Sequence, residues 1–279
     1  MPEPLFVKLC EKLKIDASVA SGDPKTALQR MMKELDVEYE HEIFEARLAK
    51  QIANVDDDEC EHILRDHYLP PGQYRPKPLN NTEVDSVLDL LEIKHPDFFN
   101  LHINMIDFES YGGTLHQLRL NINDIVAGKS VKFTMPETYD TKEMPAGKKR
   151  FACVLNSDKF GNGGKHWTCV YVDLRGPTVT IEFFNSSGNP PYPQVREWAM
   201  KFERDLCKSP IAGKLTQQEL FVIASEIQHQ KGETECGVYC IYYIYHRLDG
   251  MDHRLFKKDP ISDALVTEFR HKIFRPSKS

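Results

Sequence analysis

The stretch Gln230-Lys-Gly-Glu-Thr-Glu-Cys236-Gly-Val-Tyr-Cys240-Ile-Tyr-Tyr-Ile-Tyr-His-Arg-Leu-Asp249 decides how the chain is read. From Cys236 onward, Val238, Ile241, Tyr242, Ile244, Tyr245 and Leu248 recur at helical spacing, which predicts an apolar, buried helix. Thr234 stands where a capping hydroxyl is expected, and Gly237 leaves room for close backbone approach. Cys236 therefore opens a helix. Unpaired amides and the positive dipole end favour thiolate over thiol at such a position. They are expected to draw a cysteine pKa from ~8.5 into a range of roughly 3.5–7.5. A cysteine opening a buried helix is by itself more often a small core residue, so a nucleophile needs partners elsewhere in the chain.

Three further segments supply them. Gly163-Gly-Lys-His166-Trp167 puts an imidazole at the lip of a predicted strand, just after a glycine-rich loop. Ile181-Glu-Phe-Phe-Asn185-Ser186 ends the next strand on an asparagine whose side-chain oxygen can orient His166, as the third member of a Cys-His-Asn arrangement. Gln230 lies six residues before the cysteine, and its amide can donate to an oxyanion together with the Cys236 backbone N–H. Trp167 reads equally as core or as a wall of a substrate cleft. Cys240, one turn beyond Cys236, reads as core, and Glu233 and Glu235 as solvated loop charges. Ser186 and Ser187 are hydroxyls with no base apparent beside them.

His166-Trp167, Asn185, Gln230 and Cys236-Gly237, in this order and context, resemble the adenovirus-protease/Ulp1 group of cysteine peptidases, which includes the proteases of ubiquitin-like modifiers. Within it, the chain is most similar to the polyprotein-processing branch of large DNA viruses, such as that of African swine fever virus. Gly-Gly-Lys-His-Trp, Asp173-Leu-Arg-Gly176, Glu182-Phe-Phe-Asn-Ser-Ser-Gly188, His229-Gln230 and Thr234-Glu-Cys-Gly237 carry that likeness over roughly residues 80–279. The resemblance implies a cysteine endopeptidase with His166, Asn185 and Cys236 as catalytic residues and Gln230 in the oxyanion hole. It also implies Trp167 in a narrow cleft, polyprotein substrates cut after Gly-Gly-type sites, and action in host cytoplasm and virion. The chain departs from the commoner pattern at Asn185, where many members carry Asp; an asparagine orients an imidazole without adding a full charge. Rival readings are a deconjugating protease of a ubiquitin-like modifier, an acyltransferase, and a non-catalytic binding module that keeps the fold.

Outward from the site, Phe151–Leu155, Trp167–Val172, Val179–Phe184 and Phe221–Ile227 read as strands. Val195, Trp198, Ala199, Phe202 and Leu206 mark a helix over about 194–208, and another starts at Asn81-Thr82-Glu83. The layout is α+β, a small mixed, mainly antiparallel sheet with helices packed around it. Residues 109–150 show no clear period. Upstream, Leu28, Met31, Met32 and Leu35 predict a helix behind Asp23-Pro24, and Ile43, Phe44, Leu48 and Ile52 continue a similar stripe. Prolines 70, 71, 76 and 78 break that pattern, which divides the chain into a helical arm over 1–79, with a linker at about 69–79, and a catalytic core over 80–279.

Composition narrows the class. Of the 279 residues, 41% are hydrophobic and 28% charged, and the net charge is -6, without a basic segment to support a nucleic-acid partner. No apolar run is long enough to cross a bilayer, and the N-terminus lacks signal-peptide architecture. Seven scattered cysteines suggest a reducing compartment. The spacing Cys236-x-x-x-Cys240 does not suit zinc, so no metal is expected, and the chemistry requires no cofactor.

Overall fold

The structure, a computed structural model, describes residues 71–72 and 77–276 other than 137, 177–178 and 216–219. The helices expected around Leu28–Leu35 and Ile43–Ile52 lie outside the described residues. Two compact units divide the chain, Tyr74–Lys272 and Met1–Gln73 with Ile273–Ser279. In the second, Pro71–Gly72 pairs in parallel with Arg275–Pro276.

The larger unit is built on a five-stranded sheet. Helix α1 (Asn81–Lys94) comes first, held by a capping box in which Asn80 and Glu83 exchange side-chain-to-backbone hydrogen bonds of 2.9 Å. Strand β1 (Phe98–Met105) follows, then three short helices, α2 (Phe108–Tyr111), α3 (Thr114–Leu120) and α4 (Ile122–Val126). A small hairpin, β2 (Val131–Thr134) and β3 (Thr141–Met144), stands apart from the main sheet. Then come β4 (Arg150–Asn156), β5 (Trp167–Asp173), β6 (Thr180–Phe184), α5 (Pro193–Leu206), β7 (Phe221–Ile223), α6 (Cys236–Leu248) and α7 (Asp263–Ile273). The strand order is β1-β4-β5-β6-β7, with an antiparallel centre and parallel pairings at both margins.

The sheet is covered on both faces. Val170 and Val172 of β5 and Ile181 and Phe183 of β6 share a core with Trp198, Ala199 and Phe202 of α5. The intervening residues face α6, which packs on β5 and α1. On that side Phe184 stacks on Tyr243, ring centroids 4.6 Å apart. Every residue of β4, β5 and β6 is buried, since alternate side chains meet a helix layer on either side. The predicted strands and the helices at α1, α5 and α6 are present. β7 ends at Ile223 rather than Ile227, because past Ala224 the chain leaves the sheet to carry His229 and Gln230 under the β6 turn.

The α6 face of the sheet contains a fully buried carboxylate, Glu182. It accepts hydrogen bonds from Thr180 Oγ1 (2.6 Å), Tyr243 Oη (2.6 Å), Arg247 Nε (2.8 Å) and Arg247 Nη2 (2.7 Å). Burial, and then the Glu182 charge, push the Tyr243 phenol well above its ordinary pKa, so it remains a donor. Removing one partner of a buried pair leaves the other charge uncompensated. Arg247→Met is therefore expected to lower the unfolding free energy by about 3–5 kcal/mol in urea titrations. Glu182→Leu added to Arg247→Met should recover part of that loss; an undiminished loss in the double variant would show that packing, not charge, matters there.

Candidate active site

His166 immediately precedes β5, and Asn185 immediately follows β6. The antiparallel register Cys169↔Phe184 brings these two strand ends together. His166 Nε2 lies 2.9 Å from Asn185 Oδ1. The neighbours fix the amide's orientation. Asn185 Oδ1 also accepts from Ser187 N (3.1 Å) and Ser187 Oγ (2.7 Å), while Asn185 Nδ2 donates to the Asn189 carbonyl (3.3 Å). An amide oxygen can only accept, so Nε2 carries the imidazole proton and Nδ1 is the basic nitrogen.

The loop that carries His166 is closed at its base. Ser157 N donates to His166 O at 2.9 Å, and Asn156 Oδ1 accepts from Asp158 N (3.0 Å) and Lys165 N (3.2 Å). Gly164 has φ +81°, and a Cβ there would fall 2.3 Å from Asn156 Nδ2, so only glycine fits. With Asn81 and Met105, this loop lines a cavity of about 370 Å³.

Cys236 is the first residue of α6 and is 3% exposed. Burial pushes its thiol up to about 11. The Trp167 backbone amide, aimed at the sulfur, and the amides of Gly237 and Cys236 act in the opposite direction without overcoming burial. Burial thus works against the expected thiolate-favouring drop: helix-start amides are present, but desolvation of the anion is the larger effect. The contact with Trp167 sets the sulfur against the residue next to His166. Trp167 itself is buried, with its indole N–H donated to Leu79 O at 3.2 Å. A Cβ on Gly237 would sit 3.3 Å from both Trp167 Cδ1 and Leu79 Cβ, the close approach expected of that glycine.

Two local expectations are corrected. The residue before α6 is Glu235, which makes no side-chain cap; Thr234 Oγ1 instead donates to Glu235 Oε1 at 3.2 Å. Nor is Glu235 solvated. It is buried and paired with the fully buried Arg270 of α7 at 2.7 Å. Arg270 also donates to Lys77 O at 2.8 Å. At the start of α7, Asp263 accepts from the Lys231 and Gly232 amides and from Tyr239 Oη. The loop before Cys236 is therefore held at both ends by one helix.

Gln230 lies in that loop, 7% exposed. Its Oε1 accepts from Ser186 Oγ at 2.7 Å and its Nε2 donates to Gly232 O at 2.8 Å. The second N–H on Nε2 has no partner among the described residues. Asn156, Ser186, Ser187 and Arg270 escape a reading of the sequence because each acts through a neighbour and matches no spacing rule. Cys153, Cys169, Cys207, Cys236 and Cys240 are free, and Cys240 is buried. Among the described residues no group of His, Cys, Asp and Glu is placed to hold a metal ion, and no helix is long and apolar enough to cross a membrane.

A cysteine opening α6, its neighbour Gly237 packed on Trp167, and an imidazole just before Trp167 held by the Asn185 carboxamide are the parts a cysteine protease uses. No protein-family model matches the chain. A cysteine protease of African swine fever virus (isolate Tick/Malawi/Lil 20-1/1983) is 33% identical over 206 residues, 72% of this chain and 71% of the relative. The counterpart from a second isolate (Pig/Kenya/KEN-50/1950), named a SUMO-1 cysteine protease, is 32% identical with the same coverage. The crystal structure of the African swine fever virus protease superposes with a TM-score of 0.70 at 27% identity, covering 93% of this chain and 90% of that one. The chain belongs to the family of these African swine fever virus cysteine proteases.

The raised thiol has a measurable consequence. Without substrate, iodoacetamide alkylation of Cys236, followed by peptide mass spectrometry, is expected to accelerate about tenfold per pH unit through pH 9. A rate plateau between about pH 5 and pH 8 would instead reveal a resting thiolate–imidazolium pair.

Proposed function

We propose that the chain is an endopeptidase that processes polyprotein precursors at Gly-rich sites, with Cys236 as nucleophile and His166 as general base and acid. The observation that carries this reading is the 2.9 Å contact of His166 Nε2 with Asn185 Oδ1, with the sulfur against the neighbouring Trp167 amide. His166 Nδ1 takes the thiol proton as sulfur attacks the scissile carbonyl. In this reading proton transfer accompanies attack, since burial favours the thiol over a preformed ion pair. The developing oxyanion is held by Gln230 Nε2 and the Cys236 backbone N–H. His166 then returns the proton to the leaving amine, and water hydrolyses the thioester. Asn185 keeps the imidazole in the productive tautomer.

Glycine at the cut suits the buried sulfur, since a residue without a side chain lets the carbonyl reach it. Deconjugation of a ubiquitin-like modifier is the second reading, favoured by the name of the relative called a SUMO-1 cysteine protease. Incubation with viral structural polyproteins and with a modifier fusion, followed by N-terminal sequencing of the products, separates the two. Cleavage of the fusion alone would remove the polyprotein reading.

Cys236→Ala should abolish cleavage and leave the circular dichroism spectrum unchanged. His166→Ala should be nearly as severe. Gln230→Ala should lower kcat by roughly 10²–10³ with little change in KM. A change confined to KM would assign Gln230 to substrate binding instead. Asn185→Ala should retain reduced, measurable activity, and a wild-type rate would exclude its orienting role.

A further inference from the structure

We propose that Ser186 is a positioning residue for oxyanion stabilisation, acting through Gln230. The inference rests on Gln230 as the oxyanion donor. A glutamine side chain has two ends of similar size and opposite character. Its NH₂ end stabilises an oxyanion, and its carbonyl end repels one. Whatever fixes the amide's rotation therefore decides whether the hole works.

Two contacts fix it. Ser186 Oγ donates to Oε1 at 2.7 Å, and Gly232 O, which can only accept, takes one N–H of Nε2 at 2.8 Å. Ser186 is fully buried, so it cannot touch substrate. Its backbone carbonyl accepts from His229 N (2.8 Å) and Gln230 N (2.9 Å), which holds the chain of the oxyanion loop independently of the hydroxyl. The backbone bonds set where Gln230 is; the Gly232 carbonyl sets which way its amide faces, and the hydroxyl holds the other end in that orientation.

Ser186 also follows Asn185 directly. Consecutive residues of one turn thus serve the two halves of the chemistry, Asn185 through the His166 proton and Ser186 through the oxyanion donor. Close packing preserves this arrangement: Gly188 has φ +74°, and a Cβ there would lie 2.7 Å from the Ile227 carbonyl carbon, so the turn and the loop carrying Gln230 touch backbone to backbone.

The test is a double-mutant cycle on the full chain with a peptide substrate cleaved by the wild type. Ser186→Ala leaves Gln230 Oε1 buried without its donor and is expected to cut kcat about tenfold. KM and the alkylation rate of Cys236 should stay unchanged. A peptide aldehyde, whose hemithioacetal oxygen occupies the same hole, should bind more weakly by a similar factor. In a Gln230→Ala background, Ser186→Ala should have no further effect. Ser186→Cys keeps a weak donor and should fall between wild type and alanine; it also serves as the readout should the alanine variant not fold. Multiplying effects of Ser186→Ala and Gln230→Ala would overturn the proposal, as would a changed alkylation rate. An unaltered kcat in Gln230→Ala alone would overturn the oxyanion reading and this inference with it, whereas a normal kcat in Ser186→Ala beside an impaired Gln230→Ala would overturn only the inference.

Discussion

The buried ion pair between Glu182 and Arg247 is the constraint on which the geometry of the site depends. It joins β6, the strand that delivers Asn185, to α6, the helix that delivers Cys236. Apolar side chains of the same volume would tolerate a small slide of the helix over the sheet. A carboxylate that must meet a guanidinium, a phenol and a hydroxyl does not, because each misplaced donor leaves a buried polar group unpaired. At the opposite end of the same helix, Glu235 and Arg270 form a second buried pair. The helix that opens on Cys236 is thus pinned at both termini by charges in the interior.

The electrostatics of the sulfur are set chiefly by its burial. A cysteine at a helix start is commonly credited with an acidic thiol. Here close packing of Leu79, Trp167 and Gly237 strips water from the site, and the cost of desolvating an anion exceeds what three backbone amides return. Burial thus favours the neutral thiol of Cys236, against the amides at the start of its helix. Asn185, the side chain that contacts His166, likewise adds no charge there.

Much of this was legible in the amino-acid order. The α+β class, the central strands and the helices at Asn81, Pro193 and Cys236 follow from periodicity and punctuation, and a four-part motif led to the contact of His166 with Asn185. What escaped has physical causes. Strand β1 contains Asn100, His102 and Asn104, which break the alternation; their side chains satisfy local bonds around a bulge at which His102 has φ +56°. The β2–β3 hairpin has exposed, charged positions on one face and too few residues for a period to emerge. Glu235 read as a surface charge because its partner lies thirty-five residues away, on a helix whose packing no local rule reveals. The thiol's environment is a property of burial, which a motif does not encode.

The burial of Cys236 also bears on its reactivity toward oxidants. Hydrogen peroxide attacks cysteine as its anion and leads through sulfenic acid to forms that cannot be rescued. Cys236, 3% exposed and with burial favouring its thiol, presents less of that anion than an open cysteine would. The packing that encloses Cys236 is thereby also a shield against oxidation.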